Sequence, residues 1–305
     1  MHGPLQYERL TRDRRATRVG RRIVLRDEVA STNDEAWRFL DQPDGDGTAV
    51  FAEYQSRGRG RLGRRWESPR GASVMCSILL IEKAPGLIAD LPHGQTSLPM
   101  APDPPSTSSS HHQARNTPSS HQGVANGVIG LIAAIACRDA ILAATHLPCE
   151  IQWPNDVVVQ GRKLAGVLIE MRSIDQGGSA YGVGVGINCL QHAKHFDPSL
   201  RERATSLDLE CPQSIDRHQV ARSLLDELDR WFGYDRPSDA GAVREAWIQR
   251  AAPLGRRLRL RHRGTEFVGQ MIDVDPLAHL VVQLDEGGRR LFSADDTTVV
   301  SYGDR

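Results

Sequence analysis

Apolar and polar positions follow two periods along this chain, and the period changes where the architecture is expected to change. Ser73–Ile81 (S-V-M-C-S-I-L-L-I) is an apolar, partly β-branched run and predicts a buried strand. Shorter strands are predicted at Arg22–Leu25, Thr48–Ala52 and Cys149–Trp153. Asp156–Val159 and Leu164–Met171 read as a hairpin-like pair around the turn Q-G-R-K. Tyr181–Ile187 alternates Gly with larger residues, so Gly182, Gly184 and Gly186 leave one face of that strand bare. Something must approach the backbone closely there. No helix opens after these glycines, so they are not a dinucleotide fingerprint. Val124–Ala144 is apolar on nearly every side and predicts a buried helix, whereas Asp216–Trp231 and Ala240–Ala251 are amphipathic. From Leu254 onward, five short alternating segments with Gly turns predict a small closed barrel.

Punctuation residues refine this outline. In E-V-A-S-T-N-D-E-A-W, Ser31 with Asp34 three residues on has the pattern of a capping box opening a helix to about Leu40. Ser31, Thr32 and Asn33 serve either as that cap or as short polar groups facing a ligand. Residues 189–214 read as a long loop. Residues 85–122, centred on P-D-P-P-S-T-S-S-S-H-H-Q, lack any period that could build a core and read as a disordered insertion. Residues 1–26 carry eight arginines and read as a flexible basic arm. The expected organisation is therefore an arm (1–26), a main domain (27–252) and a small C-terminal domain (253–305).

Composition changes the picture at one place. The 305 residues hold 38 Lys+Arg and 38 Asp+Glu, which argues against a general nucleic-acid coat. Against that balance, residues 57–70 hold six arginines and one acid, Glu67, interleaved with Gly58, Gly60 and Gly63. Such a segment cannot bury an apolar face, and it reads as a mobile loop closing on something anionic or as a basic RNA-binding loop. The five cysteines form no C-x-x-C pair, which fits a reduced, cytoplasmic protein without structural zinc. No signal peptide and no apolar run long enough to span a bilayer are read, so no membrane partner is expected.

Five motifs occur in a fixed order: S-T-N at 31–33, E-Y-Q-x-x-G-R-G-R at 53–61, W-P-N-D at 153–156, R-K-L-A-G at 162–166 and G-x-G-I-N at 184–188. This series resembles the biotin–protein ligases (biotin–[acetyl-CoA-carboxylase] ligases) over about 27–83 and 123–302. The resemblance implies an α+β fold: a mixed, mainly antiparallel sheet flanked by helices, as in class II synthetases, with a small C-terminal SH3-like barrel. It implies a two-step acyl transfer, in which biotin and ATP give biotinyl-5′-adenylate and a lysine of a biotin carboxyl carrier domain, of acetyl-CoA carboxylase or another carboxylase, takes the acyl group. By the family pattern, Ser31, Thr32 and Gln55 would hydrogen-bond the ureido head of biotin, and Asn33 would also contact biotin. Arg59, Gly60 and Arg61 would order over biotin and adenylate, and Lys163 would sit between carboxylate and α-phosphate. Gly166 and Gly184 would let the ligand lie against backbone. Arg61, Arg64, Trp66, Asn155, Asp156 and Asn188 would contact the nucleotide, with Mg²⁺ near Asp156 and Asn188. Arg59, Arg61 and Lys163 are the catalytic candidates.

The chain departs from the pattern before W-P-N-D, where Gln152 replaces a common lysine. The DNA-binding domain of the family's repressor members is not recognisable, so a monofunctional enzyme without DNA as a partner is expected. The resemblance leaves room for a homodimer through the edge of the central sheet, or for a monomer. The rivals are a lipoate–protein ligase-like acyltransferase and, in another class, a basic nucleic-acid-binding protein.

Overall fold

The computed structural model describes residues 3–82, 120–175, 178–233, 240–251, 254–275 and 279–303. The insertion expected at 85–122 therefore lies outside the described residues, apart from 120–122, which open a helix. Seven strands make the main sheet: β1 (Ile23–Val29), β2 (Ala49–Gln55), β3 (Ser73–Glu82), β4 (Glu150–Gln152), β5 (Asp156–Val159), β6 (Arg162–Ser173) and β7 (Ser179–Asn188). Their order is β1-β2-β3-β7-β6-β5-β4, with β1 and β2 parallel and every other pair antiparallel.

Period-two alternation decides which face is covered. Val74, Cys76, Ile78 and Leu80 of β3 join Tyr181, Val183, Val185 and Ile187 of β7 in the principal core. That core is roofed by α3 (Ser120–Thr145), which packs against β6, β7 and α5 (Arg217–Phe232). Within α3, the 19-residue window Gly127–Thr145 is apolar enough to cross a bilayer by length and composition, with mean hydropathy 1.9, contrary to the expectation of no such run. It is a core helix here: 67% of the window is buried, and fully burying each Leu or Ile contributes about 1.5–3 kcal/mol. The opposite face of β7 carries Gly182, Gly184 and Gly186 and is approached by α2 (Thr32–Ala36), a following 3₁₀ turn to Phe39, and the arginine loop.

Two expectations fail for the same reason. The basic segment 1–26 is not a free arm: α1 (Tyr7–Thr11) packs on α5, and Leu5, Leu10 and Val19 are buried. Its arginines meet acids roughly two hundred residues further on, Arg9 with Asp216 and Arg14 with Asp226, and Asp229 accepts from the backbone N–H groups of Thr17, Arg18 and Val19. Arg18 is itself buried between Asp46 and Glu82. The Ser31–Asp34 capping box also does not form, since Ser31 makes no side-chain cap bond. Gln55 substitutes from β2, its Oε1 accepting from Thr32 N (2.7 Å) and Thr32 Oγ1 (3.0 Å). In both cases the partner comes from a distant segment that local pattern does not reveal.

The stretch 189–214, expected as loop, includes α4 (Leu207–Glu210), and α6 (Ala240–Arg250) packs on α3 before the C-terminal domain. That domain contains the five expected strands, β8 (Arg257–His262), β9 (Thr265–Val274), β10 (Leu280–Leu284), β11 (Arg289–Phe292) and β12 (Thr297–Tyr302). Their order is β11-β10-β9-β8-β12, all antiparallel. The sheet coils around Leu258, Leu260, Met271, Val282 and Phe292. Among the described residues its hydrogen-bonded ladder runs from β11 to β12, consistent with the expected small SH3-like barrel.

Candidate active site

The site is built on the bare face of β7. A Cβ at Gly182 would lie 3.0 Å from the Trp37 ring, one at Gly184 2.8 Å from Asn33 Oδ1, and one at Gly186 2.5 Å from the Trp66 ring. The close approach that the glycines demanded is thus made here by the protein's own side chains. Gly166 of β6 pairs with Gly186, and a Cβ there would meet Lys163 Nζ at 2.9 Å. Residues 163 and 166 would face opposite sides of a regular strand. A bulge between Val157 and Val158 pairs Val157 with Ala165 but Val158 with Lys163, and this extra residue turns the lysine onto the face of Gly166.

One end of the stripe is a buried relay of short polar groups. Ser77 Oγ lies 2.7 Å from Thr32 Oγ1 and 2.6 Å from Asn33 Oδ1, and Ser77 pairs with Gly184 in the sheet. Thr32 in turn donates to Gln55, and Ser31, Thr32 and Asn33 are all buried. Burial of Thr32 and Asn33 is tolerated because their side chains bond Gln55, Ser77 and Glu170.

The other end is cationic. Lys163 Nζ lies 2.7 Å from Asp156 Oδ1 and 6.0 Å from the centroid of the Trp66 ring. Asn155 is buried in the W-P-N-D turn, which contains a cis Trp153–Pro154 bond; its amide donates to Val167 O, and its Oδ1 accepts from Arg61 Nη1 at 3.1 Å. Arg61 also donates to the carbonyl of Ala294, which brings the β11–β12 connection of the C-terminal domain to the site. Burial pushes the Arg61 guanidinium below its ordinary value and the neighbouring Asp295 carboxyl above its own.

The arginine loop is a small hairpin rather than an irregular flap. Arg59 bridges Arg65, Gly60 N donates to Arg64 O and Trp66 N to Gly58 O. Gly58 is needed because a Cβ there would meet Trp66 O at 2.3 Å, whereas one at Gly60 meets nothing nearer than 3.5 Å. Arg64 points outward from the tip and is exposed. Arg59 is held by Asp34 and Glu170, and its bond to Asp34 is the main cause holding that carboxyl below its usual value.

Asn188 donates to Thr205 O and accepts from Gln191 Nε2, so both its polar atoms serve the fold. Among the described residues no group of three or more His, Cys, Asp or Glu side chains could hold a metal. Ser77, Glu170 and Trp37 belong to the site but were not singled out by sequence. A serine inside the run S-V-M-C-S-I-L-L-I and an acid inside L-A-G-V-L-I-E-M were the available signals.

Residues 25–101 and 106–188 match the "Biotin/lipoate A/B protein ligase family". Over 282 residues the chain is 29% identical to a "Biotin--[acetyl-CoA-carboxylase] ligase" of Mycobacterium tuberculosis, covering 91% of this chain and 85% of that protein. Over 277 residues it is 26% identical to the "Bifunctional ligase/repressor BirA" of Bacillus subtilis, covering 91% of this chain and 74% of that protein. Its fold is similar to that of the biotin protein ligase of Aquifex aeolicus solved in complex with biotin and ATP, with a TM-score of 0.65 at 21% identity, covering 92% of this chain and 98% of that one.

Proposed function

The chain belongs to the biotin/lipoate A/B protein ligase family, and we propose that it is a biotin–protein ligase. It activates biotin with ATP to biotinyl-5′-AMP and passes the acyl group to a lysine of a biotin carboxyl carrier domain. One observation carries this reading. A side-chain-free stripe runs from a buried hydroxyl–amide relay (Thr32, Asn33, Gln55, Ser77) to a lysine and an arginine (Lys163, Arg61). Such a groove suits a flat, mostly apolar molecule with a hydrogen-bonding head and an anionic tail.

The reactant carboxylate is ionised near neutral pH, because carboxyl groups titrate near pH ~4, so no general base is required in the first step. The carboxylate oxygen attacks the α-phosphorus and the bond to pyrophosphate breaks. What the protein supplies is alignment and positive charge where the two anions meet. Lys163 sits at that junction and Arg61 beside it. Arg61, held by Asn155, brings a cation to the W-P-N-D turn, next to which Gln152 lacks one. Asp156 would hold a Mg²⁺ arriving with the nucleotide, since a carboxylate oxygen suits so hard an ion, and the ion would supply charge that offsets the phosphates. In the second step a carrier amine attacks the acyl carbon and AMP leaves. An acyl-enzyme on sulfur is disfavoured, since burial pushes Cys149 and Cys189 up to about 12.

Biotin-dependent exchange of pyrophosphate into ATP, with lipoate as the control acid, tests the assignment. Exchange with biotin but not lipoate is expected, followed by labelling of a carrier domain. Exchange only with lipoate would move the chain to the lipoate branch of the family, and none with either acid would overturn the reading.

A second expectation concerns Trp66, whose ring covers Gly186 and whose buried Nε1 has no hydrogen-bond partner among the described residues. A ligand lying on the stripe must displace that ring. Biotin with a non-hydrolysable ATP analogue should therefore change tryptophan fluorescence, and Trp66→Phe should remove most of that change. A full change persisting in Trp66→Phe would place the ligand elsewhere.

A further inference from the structure

We infer that Glu170 is a positioning residue for this reaction, acting through Arg59 and Asn33 to lock the arginine loop to the head of α2. The inference rests on the ligase reading for its kinetic consequence but not for its structural one. Glu170 stands in β6 opposite Gly182, on the bare face of the sheet. Its Oε1 accepts from Arg59 Nε (2.9 Å), and its Oε2 accepts from Arg59 Nη2 (3.0 Å) and from Asn33 Nδ2 (3.1 Å). Asp34, one residue after Asn33, accepts from Arg59 Nη1 (2.8 Å) and Nη2 (2.7 Å).

Two consequences follow from counting donors. A guanidinium offers five N–H groups in a fixed fork, and these four bonds occupy most of it. Arg59 therefore faces two carboxylates and has no positive charge in excess to present to an anionic reactant. Lys163 faces one carboxylate, while Arg61 donates to two neutral oxygens. The cationic work thus falls to Lys163 and Arg61, and the Arg59 side chain is a strut. The same carboxylate that holds the strut holds Asn33, whose Oδ1 accepts from Ser77 in the head-group relay. One residue accordingly couples closure of the loop to the end of the groove that reads the ligand's head.

Glu170→Gln keeps the shape and an acceptor for Asn33 but removes the charge and one of the two acceptors facing Arg59. Loss of these charge-assisted bonds should make enzyme-bound adenylate escape about tenfold faster. The rate of adenylate formation should fall by less than about threefold, with the melting temperature unchanged. If Glu170 acts through Arg59, the substitution adds little in an Arg59→Gln background. Hydrogen exchange without ligand gives an independent readout: the Gly60 and Trp66 amides, which close the loop hairpin, should exchange faster in Glu170→Gln. Wild-type adenylate retention, an undiminished effect in the Arg59→Gln background, or unchanged loop exchange would each overturn the inference. Failure of the wild type to form adenylate would instead count against the ligase reading, and the exchange experiment would still decide the role of Glu170.

Discussion

Lys163→Ala is expected to slow formation of the acyl-adenylate by about 10²–10³-fold while weakening biotin binding by less than about tenfold. The ammonium is paired with Asp156 at 2.7 Å, beside the glycine pair Gly166–Gly186. A bound carboxylate shares that charge with Asp156, so the ground state gains only part of it. As the new P–O bond forms, negative charge moves onto the phosphoryl oxygens, and a cation already aimed at them stabilises that charge more than it stabilises the ground state. Single-turnover measurement of adenylate formation alongside equilibrium binding separates the two effects. Equal losses in both would show that Lys163 contributes uniform binding instead. A second variant sharpens the test. Lys163→Ala leaves the Asp156 carboxylate without its cation, so adding Asp156→Asn should recover several-fold of the lost rate if the pair acts as a unit and deepen the loss if that carboxylate serves a Mg²⁺. No recovery would mean that the pair does not act as a unit.

Much of the frame was legible because it follows local periodicity. β3, β7 and the five C-terminal strands lie close to where the alternation placed them, and α3 is the helix that its all-round apolarity required. The glycine stripe announced a close approach but not its occupant, since nothing in Gly182–Gly186 says that Trp37, Asn33 and Trp66 will cover it. Lys163 could be named from R-K-L-A-G, yet its orientation depends on a bulge set by pairing with β5, which the run itself does not encode. The harder failures share a cause. Arg9, Arg14 and Arg18 look like a solvated charge run until α5 and β3 supply the acids. Ser31 looks like a cap until Gln55 arrives from β2. Arg59 looks like a free cation until Asp34 and Glu170 are placed around it. Charge in sequence shows what a residue carries, while long-range pairing decides whether that charge is available.

The same distinction underlies the largest stability effect expected of a single substitution, at Arg217. Its guanidinium is buried and grips both oxygens of Glu53, with Nη1 to Oε2 at 2.9 Å and Nη2 to Oε1 at 2.9 Å and to Oε2 at 2.7 Å. It also donates to Gly71 O, and Glu53 Oε1 accepts from Leu5 N at 2.8 Å. Removing one partner of a buried pair strands the other charge away from water, so Arg217→Ala should destabilise the fold by about 3–5 kcal/mol, read as a fall in the urea midpoint at unchanged slope. Adding Glu53→Gln should return part of that loss, because the stranded charge disappears; if it deepened the loss, the damage would come from lost packing. The consequence also reaches the site. Glu53 lies two residues before Gln55, and Gly71 follows the arginine loop, so this one ion pair fastens both ends of the segment that carries Arg59 and Arg61. Trypsin should then cut Arg217→Ala within 57–65 faster than the wild type at temperatures where both remain folded. Cleavage no faster than in the wild type would show that the loop is held by the Arg59 clamp alone and that the buried pair serves only the core.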